Sequence, residues 1–408
     1  MATVRLIRNV ALGDTATSTQ TSTINEPTAA ASGDNLFVTG NWFASRSTDG
    51  GGTWTLVDPF TTFPSAAGGF CCDEVVLYEP SRDIWIWILQ YLRSGGTNTF
   101  RVAVSRGASF GSWYWWDFSP TALDPSWTDM WFDYPDAAVS DNHLYITFNA
   151  FDNAQPRPRF LRAVVFKVPL DTLRDGTSLN YQWWPTTTHG SLRLTQGAQG
   201  SMFFASHNGT RQLRVFGWPD GSNSIGTIDV TVGAWSAGPY SAPGPGGVDW
   251  LQRLDSRIMG AWVSGTRAGF LWTAAAAAAG RPMPYVKGAV VDTVTRTLVE
   301  EPEIWNQSSA FAYPAACPNV NGVLGVSLFF GGGPRHPAHV VGLRDGPDWR
   351  LQITREGTDG PTDGTWGDYL TCHRYAPRPA EWVASGYTLQ GGSDRRNVEP
   401  QYVHFGIG

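Results

Sequence analysis

Residues 25–42, NEPTAAASGDNLFVTGNW, combine a polar start, a run of small residues, a turn and a strongly apolar run. The same order returns in six later units, which begin near Cys71, Asp133, Gln199, Val248, Ala312 and Asp368. The apolar runs alternate or are continuous over a few residues, as strands do, and lack the three- and four-residue spacing of helices. Unit starts lie 46 to 66 residues apart, close to the roughly 40–50 residues of a propeller blade once loops are added. Residues 1–408 are therefore predicted to form one seven-bladed β-propeller, with four-stranded antiparallel blades around a central channel.

The composition agrees with many short strands and tight turns, because the chain has 46 Gly, 27 Pro, 20 Trp and only 16% charged residues. The net charge is −6 and the 29 Lys and Arg are scattered, so we expect no nucleic-acid partner. No apolar run reaches the roughly 18 residues of a membrane helix. We expect a protein without a membrane span, either extracellular or periplasmic with its signal absent from this sequence, or cytoplasmic.

The two ends of the chain are both strand-like, at residues 3–10 (TVRLIRNV) and 398–405 (VEPQYVHF). One end is predicted to complete the blade that the other begins, which hides a strand edge that would otherwise be open for pairing.

Residues 47–54, STDGGGTW, follow the second apolar run of the first unit. Ser47, Asp49, Gly51, Thr53 and Trp54 match the pattern S-x-D-x-G-x-T-W, so the chain resembles the Asp-box (BNR repeat) propellers of the sialidase-like family. The resemblance implies a hairpin turn in which the Asp carboxylate binds turn amides and the Trp packs into the blade. Residues 105–113 resemble a second copy that lacks the Asp.

The same resemblance implies a sialidase site with three arginines, a Tyr and Glu nucleophile pair and an Asp acid. Arg5 and Arg8 lack the Arg-Ile-Pro context of sialidases, and no other arginine lies in a matching motif. No sialidase catalytic residue is therefore carried over to this chain, and sialidase activity is not expected from these residues.

Candidate site residues follow from the fold, because the first strands of all blades line the channel and ligands favour such convergent places. Aligning the seven units on their first turn predicts a ring of carboxylates and phenols at the channel mouth. The candidate catalytic residues are Glu26, Asp73, Asp133, Tyr134, Asp249, Asp368 and Tyr369. The candidate substrate-binding residues are Trp131, Trp250, Arg253, Tyr313 and His373.

Three chemistries suit this ring. Paired carboxylates with shifted pKa values could act as general acid and base on a glycosidic bond, with Tyr as a donor or nucleophile. Convergent oxygens could instead hold Ca²⁺, which takes six to eight oxygen ligands. An Asp at the start of a strand can also do no more than cap a turn.

The cysteines add a further feature at the same place. Cys71 and Cys72 are adjacent and could be a free pair or a disulfide that stiffens the channel mouth. Cys317 and Cys372 fall in neighbouring units, where they could be bridged or could join His373 around a metal. The spacing typical of zinc sites is absent.

Two function classes stay open, with a catalytically inactive interaction platform as a third. One is a carbohydrate-active enzyme, a glycoside hydrolase or polysaccharide lyase with its acids at the channel mouth. The other is a lectin-like glycan-binding module, whose motifs would repeat from blade to blade. The candidate residues differ between units, so the sequence favours one asymmetric site and an enzyme; fold alone does not imply function.

Overall fold

A computed structural model of the chain describes residues 2–13, 21–107, 110, 112–154, 156–276 and 280–408. The strands in these ranges form seven antiparallel blades in a ring, so the predicted seven-bladed β-propeller is confirmed. The α-helices of the described residues are short, α1 (Pro120–Leu123) and α2 (Leu170–Asp175), and none is long and apolar enough to cross a membrane. Residues 108, 109 and 111 of the second Asp-box-like segment lie outside the described residues, as do residues 277–279 of the alanine run 274–279.

The strands are numbered along the chain, beginning with β1 (Val4–Ala11). Blade one contains β2 (Thr28–Ser32), β3 (Asn35–Gly40), β4 (Phe43–Ser47) and β5 (Thr55–Val57). Blade two contains β6 (Phe70–Glu79), β7 (Ile84–Tyr91), β8 (Phe100–Arg106) and β9 (Trp113–Phe118). Blade three contains β10 (Met130–Val139), β11 (His143–Asp152), β12 (Phe160–Pro169) and β13 (Gln182–Thr186).

The second half of the chain continues the same meander. Blade four contains β14 (Arg193–Leu194), β15 (Ser201–His207), β16 (Gln212–Pro219) and β17 (Gly226–Thr231). Blade five contains β18 (Ile258–Ser264), β19 (Arg267–Ala274), β20 (Tyr285–Asp292), β21 (Thr297–Glu300) and β22 (Glu303–Ile304), the last two both paired with β20. Blade six contains β23 (Ala310–Pro318), β24 (Leu324–Gly332), β25 (Arg335–Asp345) and β26 (Asp348–Arg355). Blade seven contains β27 (Cys372–Arg374), β28 (Trp382–Leu389) and β29 (Val398–Ile407).

The ring is closed by the N-terminal strand. β1 runs antiparallel to β29 as the outermost strand of blade seven, from the pair Val4 and Ile407 to the pair Ala11 and Gln401. The Asn9 side-chain amide also donates to the Thr354 carbonyl at 2.7 Å in the neighbouring blade. The two ends of the chain therefore share one sheet, and β29 has no open edge.

Large apolar side chains fill the wedge-shaped spaces between blades. One cluster joins Tyr145 of β11, Trp218 of β16 and Trp272 of β19, and so connects blades three, four and five. Trp85 and Trp87 of β7 are fully buried in another. These aromatic side chains hold neighbouring blades together through the area they bury.

Two blades have a different register from the one predicted. In blade four the innermost strand is the two-residue β14. Residues 201–207, which the sequence alignment took as the first strand of the unit starting at Gln199, form the second strand, β15. In blade five the innermost strand begins at Ile258, ten residues after Val248. Gln199, Gly200, Val248 and Asp249 therefore precede their strands as loop residues and do not occupy the expected positions at the channel mouth.

The STDGGGTW segment is the turn between β4 and β5. Asp49 accepts from the Thr53 backbone N–H at 2.9 Å and from the Thr53 hydroxyl at 2.7 Å, while the Ser47 hydroxyl donates to it at 2.7 Å. These bonds lower the pKa of Asp49 to about 2, the Thr53 backbone N–H having the largest effect. Since β2 runs away from Glu26 and successive strands alternate in direction, this turn lies on the face opposite Glu26. Its contacts serve the fold.

Candidate active site

Glu26 is delivered to the channel mouth by an unusual backbone conformation. Glu26, Tyr134 and Tyr313 occupy equivalent places at the innermost strands of blades one, three and six, each has a φ between 50° and 59°, and each precedes a proline. Left-handed φ values are uncommon for such residues and concentrate at functional sites. In blades three and six the strand also shifts register there, between Asp133 and Asp136 and between Ala312 and Ala315.

The predicted ring of acids forms one cavity of about 670 Å³ at this mouth, within the size range of ligand sites. Five of the seven candidate catalytic residues line it together: Glu26, Asp73, Asp133, Tyr134 and Asp368. Arg253 lines it too, and blades three, four and five complete the wall with Phe151, Phe160, Thr188, Ser191, His207 and Arg257.

Glu26 and Asp73 line the same cavity, and each shifts the pKa of the other. Burial raises the pKa of Glu26 well above its usual range, and the charges of Asp73 and Asp368 add to that effect. Burial, followed by the charge of Asp133, raises the pKa of Asp73 to about 7. The Asn41 amide donates to Glu26 Oε2 at 3.0 Å and orients it. Two carboxyl groups this close cannot both ionise easily, so the pair retains a proton near neutral pH.

Asp133 is the third acid of the cavity. Burial raises its pKa, while the Gln90 amide, which donates to Asp133 Oδ1 at 3.0 Å, and the charge of Arg257 favour the carboxylate. The cavity thus combines a proton-holding pair with a separate carboxylate, the arrangement that acid–base chemistry at one bond requires.

Two arginines neutralise the fourth acid. Arg253 contacts Asp368 at 3.2 Å and Arg257 approaches the same oxygen at 3.7 Å. Arg257 also binds Asp255 and lies 4.2 Å from the ring centroid of Tyr134. The Arg253 side chain is 48% exposed, so part of its guanidinium remains open to a ligand.

A second cavity of about 340 Å³ adjoins the first and shares Glu26, Asp73, Asp133 and Arg253 with it. Its wall contains Trp131, as predicted for a ligand-facing residue, together with Trp42, Arg93 and the Cys71–Cys72 pair, which forms a disulfide.

The remaining predicted residues lie elsewhere. Trp250 and Tyr313 are fully buried, and they pack against each other with ring centroids 6.4 Å apart behind the cavity. Asp249 caps its own loop by accepting from the backbone N–H groups of Ala242 and Leu251. Tyr369 lies deeper in the channel, 5.9 Å from Tyr134 between ring centroids. These positions correct the prediction that all of them face the ligand.

His373 is also outside the acid cavity. Its ring bonds the Ala29 carbonyl at 3.1 Å, and it lines a cavity at the other end of the innermost strands with Leu77 and Val139. Cys317 and Cys372 are buried free thiols, not a disulfide. In the described part of the chain no group of three or more His, Cys, Asp or Glu has the geometry of a metal site. Bound Ca²⁺ stays a prediction.

The sequence alignment missed Arg257 and Ser191 because of the register error in blades five and four. If the innermost strands had been predicted to start at Ile258 and Arg193, Arg257 and Ser191 would both have been placed at the channel mouth. Two other acids near the predicted ring have structural contacts instead: Asp136 pairs with Arg193 at 3.2 Å, and Glu74 accepts from the Trp87 indole at 2.8 Å.

No family model matches this chain, and no curated protein matches it. Among solved structures, it is similar to an α-L-arabinofuranosidase of Fusarium graminearum, with 11% identity and a TM-score of 0.44 over 98% of this chain and 97% of that one. It is similar to a Penicillium chrysogenum α-L-arabinanase, with 9% identity and a TM-score of 0.42 over 98% of both chains.

A Trypanosoma rangeli sialidase is similar at 9% identity and a TM-score of 0.43, over 98% of this chain and 60% of that one. The class that fold and geometry define is a seven-bladed propeller with an acidic cavity at the mouth of its channel.

Proposed function

We propose that this protein is a carbohydrate-active enzyme, a glycoside hydrolase that uses the carboxyl groups at the channel mouth. The observation that carries the proposal is the convergence of three buried carboxyl groups, Glu26, Asp73 and Asp133, in one cavity. Glycoside hydrolysis needs a carboxylic acid that is protonated near neutral pH and a second carboxylate at the same bond.

Asp73 is the proposed general acid. With a pKa of about 7 it holds a proton at neutral pH and gives it to the oxygen of the departing sugar as the glycosidic bond breaks. Asp133 is the proposed second carboxylate, which either activates water as a base or attacks the anomeric carbon as a nucleophile. Glu26 positions Asp73 and shares its proton.

Tyr134 and Arg253 are the proposed partners of the substrate. Burial raises the pKa of Tyr134, so its phenol stays neutral and can donate a hydrogen bond but is a poor nucleophile. The exposed part of Arg253 can bind sugar hydroxyl groups or a carboxylate. A uronic acid bound there would suit a lyase, the second enzyme class open for this site.

The test is turnover of a panel of neutral polysaccharides, uronic acid polymers and sialosides by the purified protein. Reducing-end release would support a hydrolase, and an unsaturated, ultraviolet-absorbing product would indicate a lyase instead. The variants are Asp73→Asn, which keeps the shape of the side chain but cannot transfer the proton, and Asp133→Asn, which keeps the shape but loses the charge. Asp348→Asn, on the exposed edge strand β26, is the matched control.

Loss of turnover in both site variants, with the control unaffected, supports the proposal. Binding of a glycan without turnover, unaffected in Asp73→Asn and Asp133→Asn, would overturn it in favour of a lectin-like module. No binding and no turnover would favour an interaction platform.

We infer an oxidising compartment, extracellular or periplasmic, from the Cys71–Cys72 disulfide, since such bonds persist mainly there. Mass spectrometry of protein alkylated before reduction tests this: a bridged pair stays unlabelled, and labelling of both thiols in freshly isolated protein would contradict it.

A further inference from the structure

The acid cavity does not end at the acids but continues into two more cavities on the same face. The second cavity shares four residues with the first. A third, of about 600 Å³, shares Ser22 and Trp42 with the second and is lined further by Thr23, Thr362, Asp363, Ser393 and Arg395. Together they form a groove that leads from the channel mouth toward blades one and seven.

The acids lie within this groove and not at its end. On one side of Glu26, Asp73 and Asp133, the first cavity extends over blades three to five, to Phe160, Thr188 and His207. On the other side, the second cavity extends over blades one and two, to Trp42 and Leu92. A bond placed at the acids therefore has room for a ligand in both directions.

The second cavity has the surface that a sugar ring requires. Trp42 comes from blade one and Trp131 from blade three, and the Cys71–Cys72 disulfide lies on blade two between them. Indole rings and a disulfide offer apolar surface to the C–H face of a sugar. Arg93, whose guanidinium is 4.8 Å from the Trp131 ring centroid, adds donors for hydroxyl groups.

Trp42 has a backbone conformation that its side chain does not favour. It is the second residue of the two-residue turn between β3 and β4 and has a φ of 76°, a value that suits glycine. Such strain persists where the surrounding structure imposes it and concentrates at functional sites. The indole is only partly buried and lines both the second and third cavities.

We propose that the substrate is a glycan chain, cut at an internal bond, and that Trp42, Trp131 and the Cys71–Cys72 disulfide bind the sugar next to the cleaved bond. This inference rests on the proposed hydrolase function. The bound glycan continues past Trp42 into the third cavity. Sugars on both sides of the acids then contribute to binding, so catalysis improves with chain length.

The experiment uses the full chain with arabinan, xylan and polygalacturonan, and with oligosaccharide ladders of each from the disaccharide to the hexasaccharide. Cleavage at internal bonds lowers the viscosity of a polymer solution strongly while few new reducing ends have formed. The expected kcat/KM rises along the ladder of the polymer that is cleaved. Trp42→Gly relieves the positive φ, so we expect an unchanged or higher Tm. It also removes the indole, so we expect the ratio of hexasaccharide to disaccharide kcat/KM to fall about tenfold.

Trp305→Gly is the matched control, because Trp305 is 40% exposed and lines none of the three cavities; we expect it to leave that ratio unchanged. Terminal cleavage, or a ratio equal to wild type in Trp42→Gly, would overturn this inference and leave the hydrolase proposal standing. If no polymer or ladder is cleaved, both proposals fall; quenching of tryptophan fluorescence without cleavage would then indicate a lectin-like module, and its absence an interaction platform.

Discussion

Glu26 and Asp73, carried by neighbouring blades, line one cavity at the mouth of the channel, where the charge of Asp73 raises the pKa of Glu26. A carboxyl pair of this kind holds a proton at the place where a substrate would meet it. Its consequences can be measured in activity and in stability, and the two measurements should respond in opposite directions to the same substitution.

Asp73→Asn should abolish most of the turnover, by about 10²- to 10⁴-fold, because the amide cannot transfer the proton. In the wild type, kcat/KM should fall as the pH rises through about 7, where Asp73 loses its proton. A pH–rate profile measures this. A wild-type profile that stays flat from pH 5 to 9 would contradict the role of Asp73 as the acid.

The same substitution should stabilise the protein at alkaline pH. The pKa of Asp73 is raised from 3.8 in the unfolded chain to about 7 in the fold, so the folded state binds the proton more tightly. Stability from this group is complete below pH 4 and is lost as the pH rises through 7. We expect Asp73→Asn to have a higher Tm than wild type at pH 8 and a similar Tm at pH 4, by calorimetry. The opposite order would show that Asp73 ionises easily in the fold.

Asp368→Asn should shift the pH profile toward acid. The charge of Asp368 raises the pKa of Glu26, Asp73 and Asp133, so its removal lowers all three. Arg253→Gln is the opposing variant, because the charge of Arg253 lowers the pKa of Glu26. If the alkaline limb of the pH–rate profile shifts in the same direction in both variants, the charges of Asp368 and Arg253 do not act on the carboxyl pair in this way.

Asp49→Ala should reduce stability and leave activity per folded molecule unchanged, since the carboxylate ties only its own turn on the opposite face. The pKa of Asp49 is lowered from 3.8 to about 2; its stabilisation is present above pH 4 and lost as the pH falls through 2. The Tm difference from wild type should therefore shrink below pH 4. A loss of turnover at unchanged Tm would place the turn in the site.

Removal of residues 1–11 should destabilise the whole propeller. The deletion takes away β1, the Asn9 bond to blade six and the pairing that covers β29. Soluble yield and Tm should both fall, and the exposed edge should promote association. Arg8→Ala, which removes a surface ion pair with Asp34 and keeps the strand, is the control. Equal Tm values for the deletion and for wild type would mean that β1 does not close the ring.

The sequence by itself determined the repeat, the strands and much of the acidic site. Alternating apolar runs identify strands because successive side chains point to opposite faces. Glu26 and Asp368 precede the innermost strands of blades one and seven, and Asp73 and Asp133 lie in the first half of those of blades two and three. All four could therefore be placed at the channel mouth from their positions alone.

Only the tertiary structure decided the register of blades four and five and which residues neighbour the acids in the cavity. β14 has two residues and leaves no periodic signal, and β18 follows the long loop 232–257, so nothing local marks their starts. The proximity of Glu26 and Asp73, the arginines around Asp368 and the burial of Trp250 behind Tyr313 depend on how neighbouring blades pack. Strand periodicity fixes which face a side chain takes within its own sheet, whereas its partner across the channel is set by the closure of the whole ring.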